Sequence, residues 1–142
     1  MDLLTRRPVA TRGQDLTRIG LGAVMALVGL THLTVGREDF RAQVPSWVPV
    51  SEDLVVVGSG VAEVALGVAL LALPQQRRLT GLALAAFYVV IFPGNVAQYV
   101  EGVDAFGLDT DTKRLVRLFF QPVLVAAAVY AAGLPERGRA RR

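Results

Sequence analysis

The sequence contains no cysteine and only one histidine, His32. The lack of cysteine excludes disulfides, thiolate metal sites and CxxC redox chemistry. A single histidine cannot form a multi-histidine metal site, so we expect no bound metal. The sequence also lacks a flavin fingerprint, a haem-ligand pair and an iron–sulfur motif. Any redox cofactor beyond a small bound molecule such as a quinone would therefore have to come from a partner.

Lysine is almost absent, because 14 of the 15 basic residues are arginine. The formal net charge is +3. A basic chain can indicate nucleic-acid binding. Here, however, the arginines are concentrated in the two terminal segments and one short loop, so we expect no nucleic-acid partner.

Apolar residues make up 53% of the sequence, which is too apolar for an ordinary soluble domain. A helix needs about 20 mostly apolar residues to cross a hydrocarbon layer of ~30 Å. Four stretches qualify: 17–35, 54–73, 79–100 and 115–134. The alternation expected of barrel strands is missing. The sequence therefore predicts an all-α fold, a four-transmembrane-helix bundle forming a single membrane domain over residues 1–142.

The orientation of this bundle is predicted from the distribution of arginine. Ten arginines lie in the N-terminal segment, in the loop between the second and third spans, and in the tail 135–142. The opposite side mixes a few basic residues with many acidic ones. The positive-inside rule then predicts a multi-pass protein of the cell membrane with both termini in the cytoplasm. It also predicts a basic cytoplasmic tail that contacts anionic membrane lipid.

The connection between the first two spans is unusually apolar for a polar loop. Residues 40–49 (FRAQVPSWVP) include Phe40, Trp47 and two prolines, and proline discourages a long helix. Trp47 suits the membrane interface, where its ring is buried and its N–H stays hydrated. We expect an interfacial or re-entrant loop, which is compatible with a lid over a cavity.

Polar residues recur at one depth of the predicted bundle. At 1.5 Å per residue, Glu63 lies roughly 15 Å from the loop side, near the membrane midplane. Ionisable groups at such a depth need a partner or a cavity and are functional by default. Every span contributes a polar group to the same half of the membrane. We predict a ligand-binding set consisting of His32, Trp47, Glu63, Tyr88, Asn95, Gln98, Arg117 and Gln121, with Glu63 as a proton relay.

Glycines accompany two of these groups on their predicted helix faces. Gly60 and Gly67 lie near Glu63, and Gly29 precedes His32 by three residues. Small residues let two helices approach closely, so Glu63 should face the bundle. A structural interpretation stays open, in which these polar groups join the helices by hydrogen bonds and Arg117 extends to the membrane surface.

Four sequence segments resemble the DoxX-like family of four-helix integral membrane proteins. They are G-L-T-H-L (29–33), the F…VPSWVP loop (40–49), G-V-A-E-V-A-L-G-V-A-L-L (60–71) and F-P-G-N (92–95). The resemblance implies a four-helix bundle and a role like that of subunits linked to quinone-dependent redox complexes. It also implies that Glu63, Asn95 and His32 are site residues. The absence of cysteine departs from members that use thiols. The second span also resembles the acetylcholine-receptor chaperone NACHO, which implies an assembly role.

Several functions remain open at this point. In the first, a cavity in the outer half of the membrane binds a quinone or lipid, with a membrane or peripheral redox partner supplying electrons. In the second, the protein is a chaperone-like accessory protein whose glycine-lined helices bind partner helices. A self-contained enzyme using Glu63 as acid or base has no indicated substrate. A transporter with four spans and no internal repeat would need to form a homo-oligomer.

Overall fold

A computed structural model of the protein describes residues 9–136, and this part of the chain contains five α-helices and no strand. The helices are α1 (Arg12–Leu33), α2 (Arg37–Arg41), α3 (Glu52–Ala72), α4 (Arg77–Val100) and α5 (Asp111–Ala131). A short 3-10 turn, Pro74–Gln76, leads into α4. All helices except α2 are long and apolar enough to cross a membrane. The predicted all-α four-helix bundle is therefore confirmed.

Three of the long helices begin at side-chain caps. Thr11 and Gln14 form a reciprocal capping box at the start of α1. Ser51 accepts a hydrogen bond from the Leu54 amide at the start of α3, and Thr110 accepts one from the Lys113 amide at the start of α5. Such caps satisfy amides that the first helical turn leaves unbonded. They also explain why α1 and α5 begin before the apolar stretches predicted from hydropathy.

Glycines bring α1 and α3 into backbone contact. A Cβ atom built on Gly29 would lie 2.7 Å from the carbonyl oxygen of Gly60. Two helical turns further along this contact, a Cβ on Gly67 would lie 2.7 Å from the carbonyl oxygen of Gly22. Only glycine permits this approach at these positions. The glycine stripes predicted on the first two spans are therefore used between two helices of the same chain.

The bundle consists of two helix pairs. Helix α3 packs along α1, and α4 packs along α5, whereas α3 and α4 have few contacts with each other. The apolar core that joins the pairs includes Met25, Leu70, Leu84 and Ala128, all buried. This core occupies the half of the bundle near the 73–76 connection. The other half, near the connections 34–51 and 101–110, is less tightly filled and contains the cavity described below.

Buried arginines close the end of the bundle that carries the 73–76 connection, which we term the arginine end. Arg18 donates to the carbonyl oxygen of Leu70, and Arg77 donates to that of Ala131 at 3.0 Å. Arg77 also pairs with Asp15 at 2.7 Å. These carbonyls belong to the last turns of α3 and α5, where cations are favoured by the helix dipole. Arginines expected only to mark membrane topology thus also cap helices.

The opposite end, which we term the loop end, is held by contacts between the two connections and the helices. Arg37 of α2 forms a two-point ion pair with Asp53 of α3, at 2.7 and 2.8 Å. Gln43 donates to the side-chain oxygen of Gln98 in α4 at 2.7 Å. The connection that was predicted to be an interfacial or re-entrant loop therefore starts with the short helix α2. It then crosses the loop end of the bundle.

Large apolar side chains cover much of the outside of the four long helices. Examples exposed by half or more are Leu27, Val61, Val68, Val90 and Phe119. A soluble domain rarely exposes so many large apolar groups, whereas a lipid-facing surface requires them. The outer surface therefore fits a membrane protein, as the length and composition of the four helices also indicate.

Candidate functional site

An open cavity of about 630 Å³ lies between the helix pairs at the loop end. All four long helices contribute to its wall, and residues 40–48 of the first connection cover part of it. Met25 and Tyr88 form its floor, where the Tyr88 hydroxyl donates to the Met25 sulfur at 3.0 Å. Most of the wall is apolar, with a small number of polar groups, which is typical of sites for small molecules.

Glu63 lies on the cavity wall and is 4% exposed. Its Oε2 atom is 2.9 Å from His32 Nδ1. The same nitrogen lies 2.9 Å from the carbonyl oxygen of Val28 in the preceding turn. A ring nitrogen carries at most one hydrogen, so it cannot donate well to both oxygens. Glu63 Oε2 in fact has no partner of acceptable hydrogen-bond geometry among residues 9–136.

The position of Glu63 follows from the glycine contact between α1 and α3. Gly60 and Gly67 lie on the same buried face of α3 as Glu63. A Cβ on Gly60 would lie 2.7 Å from the Cβ of His32. The close approach of the helices therefore places the imidazole directly beside the carboxyl group.

An aromatic stack covers His32 from the loop end. The rings of His32 and Phe40 are stacked with centroids 3.2 Å apart. Phe106, from the connection between α4 and α5, packs on Phe40 with centroids 4.5 Å apart. Phe106 has a φ of 54°, a left-handed conformation that costs about 1–2 kcal/mol for a residue with a side chain. The stack keeps His32 away from water at this end.

Arg117 of α5 contributes a cation to the cavity wall. It is half-buried, and its Nε atom has no hydrogen-bond partner in the part of the chain that the structure describes. Arg117 and Glu63 belong to different walls of the cavity and form no ion pair with each other. The cavity wall thus contains an acidic and a basic group that do not pair with each other.

A chain of amide hydrogen bonds joins α4 to α5 along another side of the cavity. Asn95 donates to Gln121 at 3.1 Å, and Gln121 donates to the carbonyl oxygen of Tyr88 at 2.7 Å. Both amide side chains line the cavity and are buried. Pro93 and Pro122 lack the amide that would bond to the carbonyls of residues 89 and 118, but within residues 9–136 neither carbonyl receives a side-chain hydrogen bond. The carbonyl that accepts a side-chain hydrogen bond here is that of Tyr88.

Gln98 is the one predicted site residue that does not line the cavity. Its side chain is 2% exposed and bonds to Gln43 and to the carbonyl oxygen of Val103 at 3.3 Å. It therefore joins the two connections at the loop end. Trp47, in contrast, lines the cavity and is 67% exposed.

The structure brings seven of the eight predicted residues to one cavity. They are His32, Trp47, Glu63, Tyr88, Asn95, Arg117 and Gln121. Their role in ligand binding stays a prediction. Sequence reasoning did not select Phe40 as a site residue. An aromatic residue in a connection that would ordinarily be polar was nevertheless a usable signal. It also missed Gln43, for which no sequence signal distinguished a buried amide from an exposed one.

Within residues 9–136, no three His, Asp or Glu side chains lie close enough to hold an ion. The groups that could contact an organic molecule are the carboxyl group of Glu63, the guanidinium group of Arg117 and the apolar wall.

These features define a class: a four-helix membrane protein with an open, partly polar cavity between its helix pairs. A family model described as "Domain of unknown function (DUF8561)" matches residues 21–132, from the middle of α1 to the end of α5. The match covers well over half of the chain, which therefore belongs to this family. The chain matches no curated protein and no solved structure.

Proposed function

We propose that this protein binds a small lipophilic or amphipathic molecule, a quinone or a lipid, in the cavity at the loop end. The observation that carries the proposal is the state of Glu63, which is buried, faces the cavity and has an unbonded oxygen. An unsatisfied buried acceptor costs about 1–3 kcal/mol, and more if it is charged. A ligand with a hydroxyl donor would remove this cost once the Glu63 side chain turns this oxygen toward the cavity.

The shape of the cavity supports the same proposal. Its volume of about 630 Å³ falls within the usual range of roughly 300–1,000 Å³ for small-molecule sites. Its wall is mainly apolar, and the polar groups come from all four long helices. A molecule with a small polar head and an apolar body fits this distribution.

Access from the bilayer follows from the loose contact between α3 and α4. Gly58 of α3 and Val90 of α4 line the cavity and are also exposed on the outside of the bundle. A lipid-soluble ligand could enter between these helices without crossing the loop end. The arginine end offers no comparable route, because its buried arginines and the apolar core separate it from the cavity.

A role as the membrane subunit of a redox complex is the more specific form of the proposal, supported by the resemblance to the DoxX-like family. The residues present fit a bound quinone, since Arg117 can donate to a carbonyl oxygen and the apolar wall can contact the ring and tail. When bound, the quinone would supply the electron-accepting chemistry. Glu63 and His32 would hold or exchange a proton at the carboxyl oxygen and at Nδ1.

Native mass spectrometry of the protein in mild detergent tests ligand binding. Wild type should retain a discrete lipophile, and Glu63→Gln should retain at least about tenfold less, because a weaker hydrogen bond replaces one to a charged group. Glu101→Gln is the matched control, since Glu101 is exposed and lies outside the cavity. Empty wild-type protein, with both variants equally stable, would contradict the proposal.

The alternative is an assembly role. The structure removes one of the two arguments for it. Its argument from glycine-lined helices requires glycines that are free for a partner. Gly22, Gly29, Gly60 and Gly67 are instead buried between α1 and α3. What supports an assembly role is now only the sequence resemblance of the second span to NACHO. Unchanged function of a stable Glu63→Gln variant would favour it over a proton relay.

A further inference from the structure

The first connection, between α1 and α3, contacts α3 at both of its ends and α4 in between. Near its start, Arg37 forms the two-point ion pair with Asp53 of α3. At its end, the side chain of Ser51 caps α3. In between, Gln43 donates to the side-chain oxygen of Gln98 in α4 at 2.7 Å. The connection therefore crosses from α3 to α4 and back, and it joins two helices that have few contacts of their own.

The contact of this connection with α4 is narrow. In the described part of the chain, Gln43 is the only residue of the connection that hydrogen-bonds to α4. The backbone hydrogen bonds donated by residues 43–50 reach back only three residues, so none attaches this stretch to a long helix. Beside the amide bond, a Cβ atom built on Gly94 of α4 would lie 3.3 Å from the carbonyl oxygen of Gln43. The glycine thus permits the close approach that the amide bond maintains.

Gln98 is a fixed anchor for this contact. Its side chain is buried, and its amide nitrogen donates to the carbonyl oxygens of Val103 and Ala105 at 3.3 and 3.5 Å. Carbonyl oxygens only accept, so the nitrogen of Gln98 faces the second connection and its oxygen faces Gln43. The polar link between α4 and the first connection therefore depends on the amide of Gln43, a half-buried side chain.

The same connection lies over the cavity and beside its opening to the bilayer. Val44, Trp47 and Val48 follow the amide link and line the cavity. Gly58 of α3 and Val90 of α4 also line the cavity and are exposed on the outside of the bundle. The connection therefore joins the two helices that border the opening and covers part of the space behind it.

We propose that the first connection is a strap that sets the width of the opening between α3 and α4. With the Gln43–Gln98 bond made, the strap holds the loop ends of the two helices together and restricts entry from the bilayer. When this bond breaks, residues 43–48 leave α4, while the ion pair of Arg37 and the stacked ring of Phe40 keep the start of the strap in place. The inference rests on the proposed binding function only for what passes through the opening.

Distances between two spin labels measure the width of the opening without any ligand. The chain contains no cysteine, so labels attach only at introduced cysteines. Leu54→Cys and Val100→Cys place them at exposed positions near the loop ends of α3 and α4. Double electron–electron resonance in lipid nanodiscs then gives the distance distribution. Gln43→Leu should raise the population with the longer distance roughly two- to tenfold, because one amide hydrogen bond is lost.

Gly94→Val tests the strap without removing a hydrogen-bonding group. Its side chain would fill the space beside the Gln43 carbonyl and displace the strap, so it should lengthen the same distance. Gln75→Leu is the matched control, because Gln75 is exposed at the arginine end and lies outside the cavity. It should leave the distance distribution unchanged. The same distribution in all three variants and in the parent labelled protein would overturn the strap inference.

Entry rates connect the strap to the proposed function. Decylubiquinone is the probe, and stopped-flow quenching of Trp47, the only tryptophan and part of the cavity wall, follows its binding. Gln43→Leu should raise the association and dissociation rate constants together, roughly two- to tenfold, with little change in Kd. Unchanged rate constants despite a longer label distance would overturn the control of entry by the strap. No saturable quenching in wild type, with the expected label distances, would support the strap and reject the quinone form of the proposed function.

Discussion

Substituting Gly29 by alanine should separate α1 from α3 and disturb the site. The added methyl carbon would lie 2.7 Å from the Gly60 carbonyl oxygen, 2.8 Å from the Val64 amide nitrogen and 2.9 Å from Glu63 Cβ. Carbon atoms pack best at roughly 3.5–4.0 Å, so the helices would have to move apart by about 1 Å. Two of the three contacts are backbone atoms, which cannot rotate away.

The expected cost comes from this overpacking, which typically destabilises by about 1–3 kcal/mol. Gly58→Ala is the matched control, because a Cβ on Gly58, in the same bundle half, would meet no atom within 4 Å. That variant should gain up to about 1 kcal/mol from helix propensity. Gly29→Ala gains a similar helix propensity, so the two alanine variants should differ in unfolding free energy by the overpacking cost of about 1–3 kcal/mol.

Reversible unfolding in mixed micelles, followed by far-UV circular dichroism, measures this difference. Trp47 lines the cavity, and its emission in the same samples reports whether the cavity changes. Because His32 and Glu63 face each other across this contact, Gly29→Ala should also shift the Trp47 emission of the fraction that stays folded. Equal stability of the Gly29 and Gly58 variants would refute the close approach of α1 and α3.

Two further variants probe the ends of the bundle. Arg77→Gln should reduce the unfolding free energy by about 1–3 kcal/mol, because the Ala131 carbonyl loses its buried donor and Asp15 its ion pair. A loss of unfolding free energy no larger than that of Arg12→Gln in the same thermal melts would contradict the capping role. Gln98→Leu should release the first connection by removing its 2.7 Å bond to Gln43. Trp47 should then become more accessible to iodide quenching, and unchanged quenching would show that this bond does not hold the connection.

Hydropathy alone determined the four long helices, since each must be apolar enough to span a membrane with its backbone bonds satisfied internally. The 3.6-residue period then predicted that Glu63, His32 and their neighbouring glycines lie on buried faces, which the structure confirms. Helix starts were less accurate, because caps such as Thr11 lie upstream of the apolar run.

The tertiary structure alone decided which helices are neighbours. Nothing local in the sequence specifies that α1 pairs with α3 and α4 with α5, or that α3 and α4 leave a gap. That arrangement determines why Asn95 faces Gln121 across the cavity wall while Gln98, one turn away, bonds to Gln43 instead. It also turns Arg77 from an apparent surface charge into a buried helix cap. Periodicity fixes which way a side chain points, but only packing between distant segments fixes what it meets.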